Sequence, residues 1–130
     1  MVSDHAGMHR WTPVISKVQL DCGQAAVPGG EGTLRYCLTP AGLTIQEKIV
    51  AWQPPTLYGY SVRNFQTLLP NHLGLITSEP DGSGGAILTW RTYFHSSRIG
   101  GPMARMALNV VLPNLVGNLV KHFGGEMIAA

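Results

Sequence analysis

Charge is scarce in this sequence. Only 12% of its residues are Asp, Glu, Lys or Arg, about half the usual share for a globular chain. The nine Lys and Arg are spread from Arg10 to Lys121 without a run or stripe, and the net charge is +2. That pattern argues against nucleic acid as a partner, because no basic face is available to track a phosphate backbone. Cysteine is scarcer still. Cys22 and Cys37 alone do not make a disulfide framework, so free thiols and a cytoplasmic location are the expectation. Long apolar runs are missing too. The most apolar stretch, MALNVVLPNLVGNLV, is interrupted by Asn109, Pro113, Asn114 and Asn118 and reads as too short and too polar to be a transmembrane segment. The opening MVSDHAGMHRW has no basic-then-apolar pattern of a secretory signal. Signature motifs are absent as well. There is no GxSxG, and GYSVR is not a nucleophile elbow. PGGEG and PDGSGG read as hairpin turns, since neither leads into a helix as a phosphate loop must. No cofactor is implied.

What the sequence does contain is short alternating segments punctuated by Gly and Pro. At 130 residues it is long enough for one domain, spanning residues 1–130, with a proper core. SKVQLDC alternates, with Val18, Leu20 and Cys22 on one face. VPGGEG turns the chain into TLRYCL, and TPAG turns it again into LTIQEKIVAW. QPP ends that strand, because proline cannot donate to a ladder. TLYGYSV, HLGLITSE and AILTWRTYF follow as further strands, which describes an antiparallel meander. After RIGGP the period becomes helical from Met103 to Phe123. Leu108, Leu112, Leu115 and Leu119 form one stripe, and Met103, Met106, Val110 and Gly117 an adjoining one. Pro102 suits a first turn, Pro113 predicts a kink, and Gly124 a stop. The fold class is therefore α+β: a curved antiparallel sheet gripping a long C-terminal helix, with a short N-terminal helical segment.

One position breaks the alternation. Glu47 falls on the apolar face of its strand with Ile45, Ile49 and Ala51. If Pro40-Ala41-Gly42 is a three-residue hairpin loop, Thr39 pairs with Leu43 and Arg35 lies directly opposite Glu47. A two-residue loop would instead set Tyr36 there. The alternation of Leu34, Tyr36 and Leu38 favours the second register. The turn chemistry favours the first, since Ala41 would otherwise need an unfavourable positive φ.

Taken in order, SDHAGMHRWTPVI, GTLR, EKIVAWQPP, YGYSV, GSGGAILTWRTYF and the closing apolar helix resemble the SRPBCC superfamily. These are START-related helix-grip proteins, and the similarity is to their polyketide cyclase/dehydrase branch. It covers nearly the whole chain. The resemblance implies seven strands around a C-terminal helix, with an apolar cavity between them that takes lipids, sterols, polyketides or similar molecules. Some members are cyclases, dehydratases or hydrolases. The family also tends to carry Arg and Glu at the places of Arg35 and Glu47. It normally has a first strand and most of a helix before the position of Asp4, so the expectation is a natural start upstream of Met1. The alternative is homo-oligomerisation through open sheet edges.

The expected function is binding of a hydrophobic small molecule (lipid-like, polyketide or aromatic), with Arg35 and Glu47 fixing its polar end. An alternative is a cyclase/dehydratase-type enzyme in which Glu47, with Arg35, is the acid/base. A third is an oligomerising interaction module. The candidate lining is Trp11, Tyr58, Tyr60 and Trp90, with Leu88, Thr92 and Phe94 on the face of Trp90. The stripe Met103–Met106–Val110–Asn114 would be its lid. Asn114 on a core stripe demands a hydrogen-bond partner. His72, at a strand start, is either a pocket acid/base or a solvated strand end. Asp4, His5 and His9 have helical metal-ligand spacing but no further ligands, so a surface pair and no metal site is expected.

Overall fold

The computed structural model describes residues 4–66, 69–95, 98 and 100–128. The first three residues of the expected N-terminal helical segment lie outside these. The segment then runs as a 3-10 helix, η1 (His5–Arg10), whose first turn is capped by Asp4: its carboxylate accepts from the Gly7 amide at 3.1 Å. Six strands follow: β1 (Lys17–Asp21), β2 (Leu34–Leu38), β3 (Thr44–Gln53), β4 (Leu57–Val62), β5 (Leu73–Pro80) and β6 (Ala86–Tyr93). They form one antiparallel sheet in sequential order. Each strand coincides with an alternating segment of the sequence. The seventh strand implied by the resemblance is not among the described residues. A helix, α1 (Gly100–Phe123), closes the order.

The β2–β3 hairpin has the three-residue loop. The Thr39 amide donates to the Leu43 carbonyl at 2.8 Å, and Gly42 takes the left-handed φ of 83° that this loop requires. Arg35 therefore pairs with Glu47 rather than Tyr36 doing so. A second local feature reshapes the site. Between Ile49 and Ala51 the β3–β4 register shifts by a bulge. The extra residue reverses the alternation, as bulges do. Beyond it Trp52, opposite Tyr58, joins the face of Glu47 and Ile49, while Ala51 lies opposite Gly59. The simple alternation had put Ala51 inward.

One face of the sheet is covered. Met8, Trp11 and Ile15, from η1 and the residues after it, pack with Cys37 of β2 and Leu119 of α1. Ile49, Tyr58, Tyr60 and Ile76 form a second cluster along β3, β4 and β5. Leu88 and Trp90 of β6 pack against both. Along α1 the inner stripe is Gly101, Ala104, Leu108, Leu112, Leu115 and Leu119, all buried or half-buried, which is the leucine stripe of the sequence. The helix continues through Pro113 and stops at Gly124, whose φ is +77°. By length and composition α1 is long and apolar enough to cross a membrane, contrary to the reading of its interrupted core. Its place in this fold is that of the gripped helix, packed on the sheet through Leu115 and Leu119.

Candidate functional site

The inner face of the sheet carries an ion pair. Arg35 is 1% exposed and Glu47 8%. Their cross-strand register brings the side chains together on one oxygen. Arg35 Nε donates to Glu47 Oε2 at 2.6 Å, and Nη2 lies 2.5 Å from the same atom. The guanidinium also sits 5.1 Å above the Tyr60 ring, a geometry that offsets part of its lost hydration. Burial opposes its charge, but the Glu47 carboxylate, followed by Tyr58, Cys37 and Tyr60, holds its pKa above the ordinary value.

His5 completes the network, and the sequence had assigned it to a surface pair. It is buried in the structure. Arg35 Nη1 lies 3.0 Å from His5 Nδ1, and His5 Nε2 lies 3.0 Å from the Gly29 carbonyl. A guanidinium can only donate. Nδ1 is therefore the acceptor, and Nε2 carries the proton that it donates to Gly29. Burial, reinforced by the positive charge of Arg35, lowers the His5 pKa to about 4, so the ring is neutral at pH 7. Its ring packs against Trp52 (centroids 5.2 Å apart) and Tyr58 (5.4 Å). His9 is exposed, with Nδ1 3.0 Å from the Ala6 carbonyl. No group that could hold a metal is present among the described residues.

The aromatic candidates assemble around this network. Tyr58 and Tyr60 are both buried on the inner face, and Trp90 Nε1 donates to the Tyr60 hydroxyl at 3.0 Å. Burial pushes both phenols above their ordinary pKa, with the Glu47 charge adding to the effect on Tyr60. Gly74, opposite Tyr60, is a close-approach position: a Cβ there would collide with the Tyr60 ring. His72 is not a solvated strand end. It is buried, its Nδ1 accepts from the Val62 amide at 3.1 Å, and burial lowers its pKa. Cys37 donates its thiol towards Glu47 Oε2 at 3.6 Å. Burial and then the carboxylate charge push its pKa up to about 12, which leaves no thiolate for nucleophilic chemistry at neutral pH. Cys22 and Cys37 are both free. Cys37 lies opposite Val18, not Cys22. Trp11 belongs to the core around Met8 and Ile15, and its buried indole N–H has no partner among the described residues.

The expected lid is where the structure departs most from the sequence. Met106 and Val110 are 68% and 60% exposed, and Asn114 is exposed. Their stripe faces away from the sheet because the helix turns its leucine stripe inward. Asn114 meets its hydrogen-bonding need locally, its Nδ2 donating to the Val110 carbonyl at 2.8 Å. An apolar cavity of about 150 Å³ lies instead at the Pro54–Pro55 end of the inner face. Trp52, Tyr58, Ile76 and Leu88 form its walls, with Thr56, Ser78 and Ala86 also lining it. No residue of α1 lines it. Trp52, Pro54 and Pro55 were seen in the sequence only as the end of a strand. The signal that placed Trp52 here is the bulge, which alternation does not reveal.

The comparisons agree with this architecture. The model of the family described as "Polyketide cyclase / dehydrase and lipid transport" matches residues 1–124. No curated protein matches the chain. Among solved structures, the protein XoxI from Bacillus cereus is 20% identical with a TM-score of 0.73, over 91% of this chain and 79% of that one. A Thermobifida fusca structure is 21% identical, again with a TM-score of 0.73, over 95% and 82%. Ara h 8.0201 is 17% identical with a TM-score of 0.68, over 93% and 82%. At these identities the likeness is one of fold. On the family match over residues 1–124, the chain belongs to the polyketide cyclase / dehydrase and lipid transport family, within the SRPBCC superfamily.

Proposed function

We propose that this protein binds a hydrophobic small molecule on the inner face of its sheet, at the Pro54–Pro55 end. The observation that carries this reading is the apolar cavity walled by Trp52, Tyr58, Ile76 and Leu88, which backs onto the Arg35–Glu47–His5 network through Tyr58 and Trp52. A pocket of mostly apolar walls with few polar groups is the usual form of a small-molecule site, and the family supports the same class of ligand. Binding is favoured over turnover by the state of the polar groups. Glu47 Oε2 is engaged by Arg35 and Cys37, the arrangement of a structural ion pair. The Cys37 thiol is held protonated.

The test is titration with Nile red, an uncharged fluorescent probe. Saturable enhancement is expected, and Leu88→Trp, which fills the cavity, should weaken it by about tenfold. Enhancement that never saturates, or that is indifferent to Leu88→Trp, would reject this site.

A further inference from the structure

The cavity and the charged network share a wall but not a chamber, and that separation limits what the site can take. None of the cavity's lining residues is ionised at neutral pH, and its polar groups include the hydroxyls of Thr56 and Ser78 at the elbow end. Arg35, the cation of the buried network, interacts with Tyr58 but is not among the lining residues. It is already neutralised: Nε and Nη2 both bind Glu47, Nη1 meets His5, and the guanidinium stacks on Tyr60. His5 adds no charge, since its Nδ1 accepts from Arg35. The buried network thus has one positive and one negative charge and is balanced as it stands.

A ligand carboxylate would find no free partner there. In the pocket it would meet a lining without a cation, and Arg35 is already held by Glu47 and cannot serve as its partner. A charge set against apolar walls without a partner gives up hydration and gains no pairing in return. Size sets a second limit. An apolar cavity of about 150 Å³ accommodates a benzene-sized ring.

We infer that the Pro54–Pro55 pocket is a subsite for an uncharged, ring-sized group, and that the pre-paired Arg35–Glu47–His5 network makes it reject ligands with a carboxylate at that end. The inference rests on the ligand-binding reading above and adds to it the ligand's charge and size. It turns Arg35 from an anchor for the ligand's polar end into a reason that acids are excluded.

The test compares two probes with the same ring, benzyl alcohol and benzoate, followed by amide and indole NMR shifts at pH 7. Benzyl alcohol should shift Trp52, Tyr58, Ile76 and Leu88 saturably, and benzoate should bind about tenfold more weakly or worse. Ala86→Trp, a substitution at an exposed strand position on the rim, should abolish the shifts with the rest of the spectrum retained. Equal binding of benzoate would overturn the charge exclusion. Shifts confined to other residues, with Nile red still binding saturably, would overturn the subsite and leave the broader reading standing. Failure of both ring probes and of Nile red would overturn both.

Discussion

The inner face of the sheet buries a guanidinium and a carboxylate, whereas the outer stripe of α1 leaves Met103, Met106 and Val110 in the open. Each surface holds the residue type that the other would be expected to have. On the inner face the inversion is stabilised by pairing: Arg35 and Glu47 meet across two strands, and His5 takes up a further donor. On the outer stripe nothing among the described residues compensates the exposed apolar surface. The two regions therefore differ in kind. One is a closed set of mutual dependencies, and the other is a row of side chains that can change independently.

The largest expected effect follows from breaking the closed set. Glu47→Ala leaves Arg35 buried and unpaired, a loss that costs about 3–5 kcal/mol. The loss should appear as a large drop in the denaturation midpoint. Replacing both partners at once, with Arg35→Met and Glu47→Leu, removes both charges and should recover much of that stability. A double variant as unstable as the single one would show that the pair contributes through specific geometry rather than through charge balance.

The next effect separates the two surfaces by pH. His5 has its pKa lowered to about 4 in the folded protein, against 6.5 for an ordinary histidine. Between these values the unfolded chain binds more protons than the folded one. Stability is therefore complete above about pH 6.5 and is lost as the pH falls towards 4, by up to about 3 kcal/mol. His72, also lowered by burial, acts in the same direction. Asp4, whose charge partly offsets the shift of His5, moderates the loss. Urea unfolding at intervals from pH 4 to 7 should show this slope, and His5→Gln should flatten it. An unchanged slope in that variant would assign the acid sensitivity to other groups.

How much of this was legible in the sequence depended on which physical signal each element uses. Strands and helix were legible because alternation and a helical period are distinct signals of element type. The Arg35–Glu47 pairing was legible because turn chemistry at Pro40-Ala41-Gly42 fixes register, and register fixes who faces whom. Trp52 was not, because a single bulged residue reverses the alternation with no signature in composition. His5 was not, because its partners are 24 and 30 residues away in the chain. The two stripes of α1 were both apolar. Periodicity alone gave no reason to prefer the leucines over Met103, Met106 and Val110, and the lid was assigned to the wrong side.

The smallest expected effect falls on that outer stripe, and it is small for a definite reason. Met106 and Val110 are 68% and 60% exposed, so replacing them removes little buried area. Substitutions at such positions usually change stability by about 0.5 kcal/mol or less. Met106→Ser with Val110→Ser should therefore leave the denaturation midpoint almost unchanged, with helix propensity setting the residual loss. The contrast with Glu47→Ala, a single substitution, is the measure of how differently the two surfaces are built. A loss of several kcal/mol from the serine pair, read by the same urea unfolding, would mean that the stripe is covered in the folded protein in solution. The comparison would then be between two buried surfaces rather than a buried and an open one.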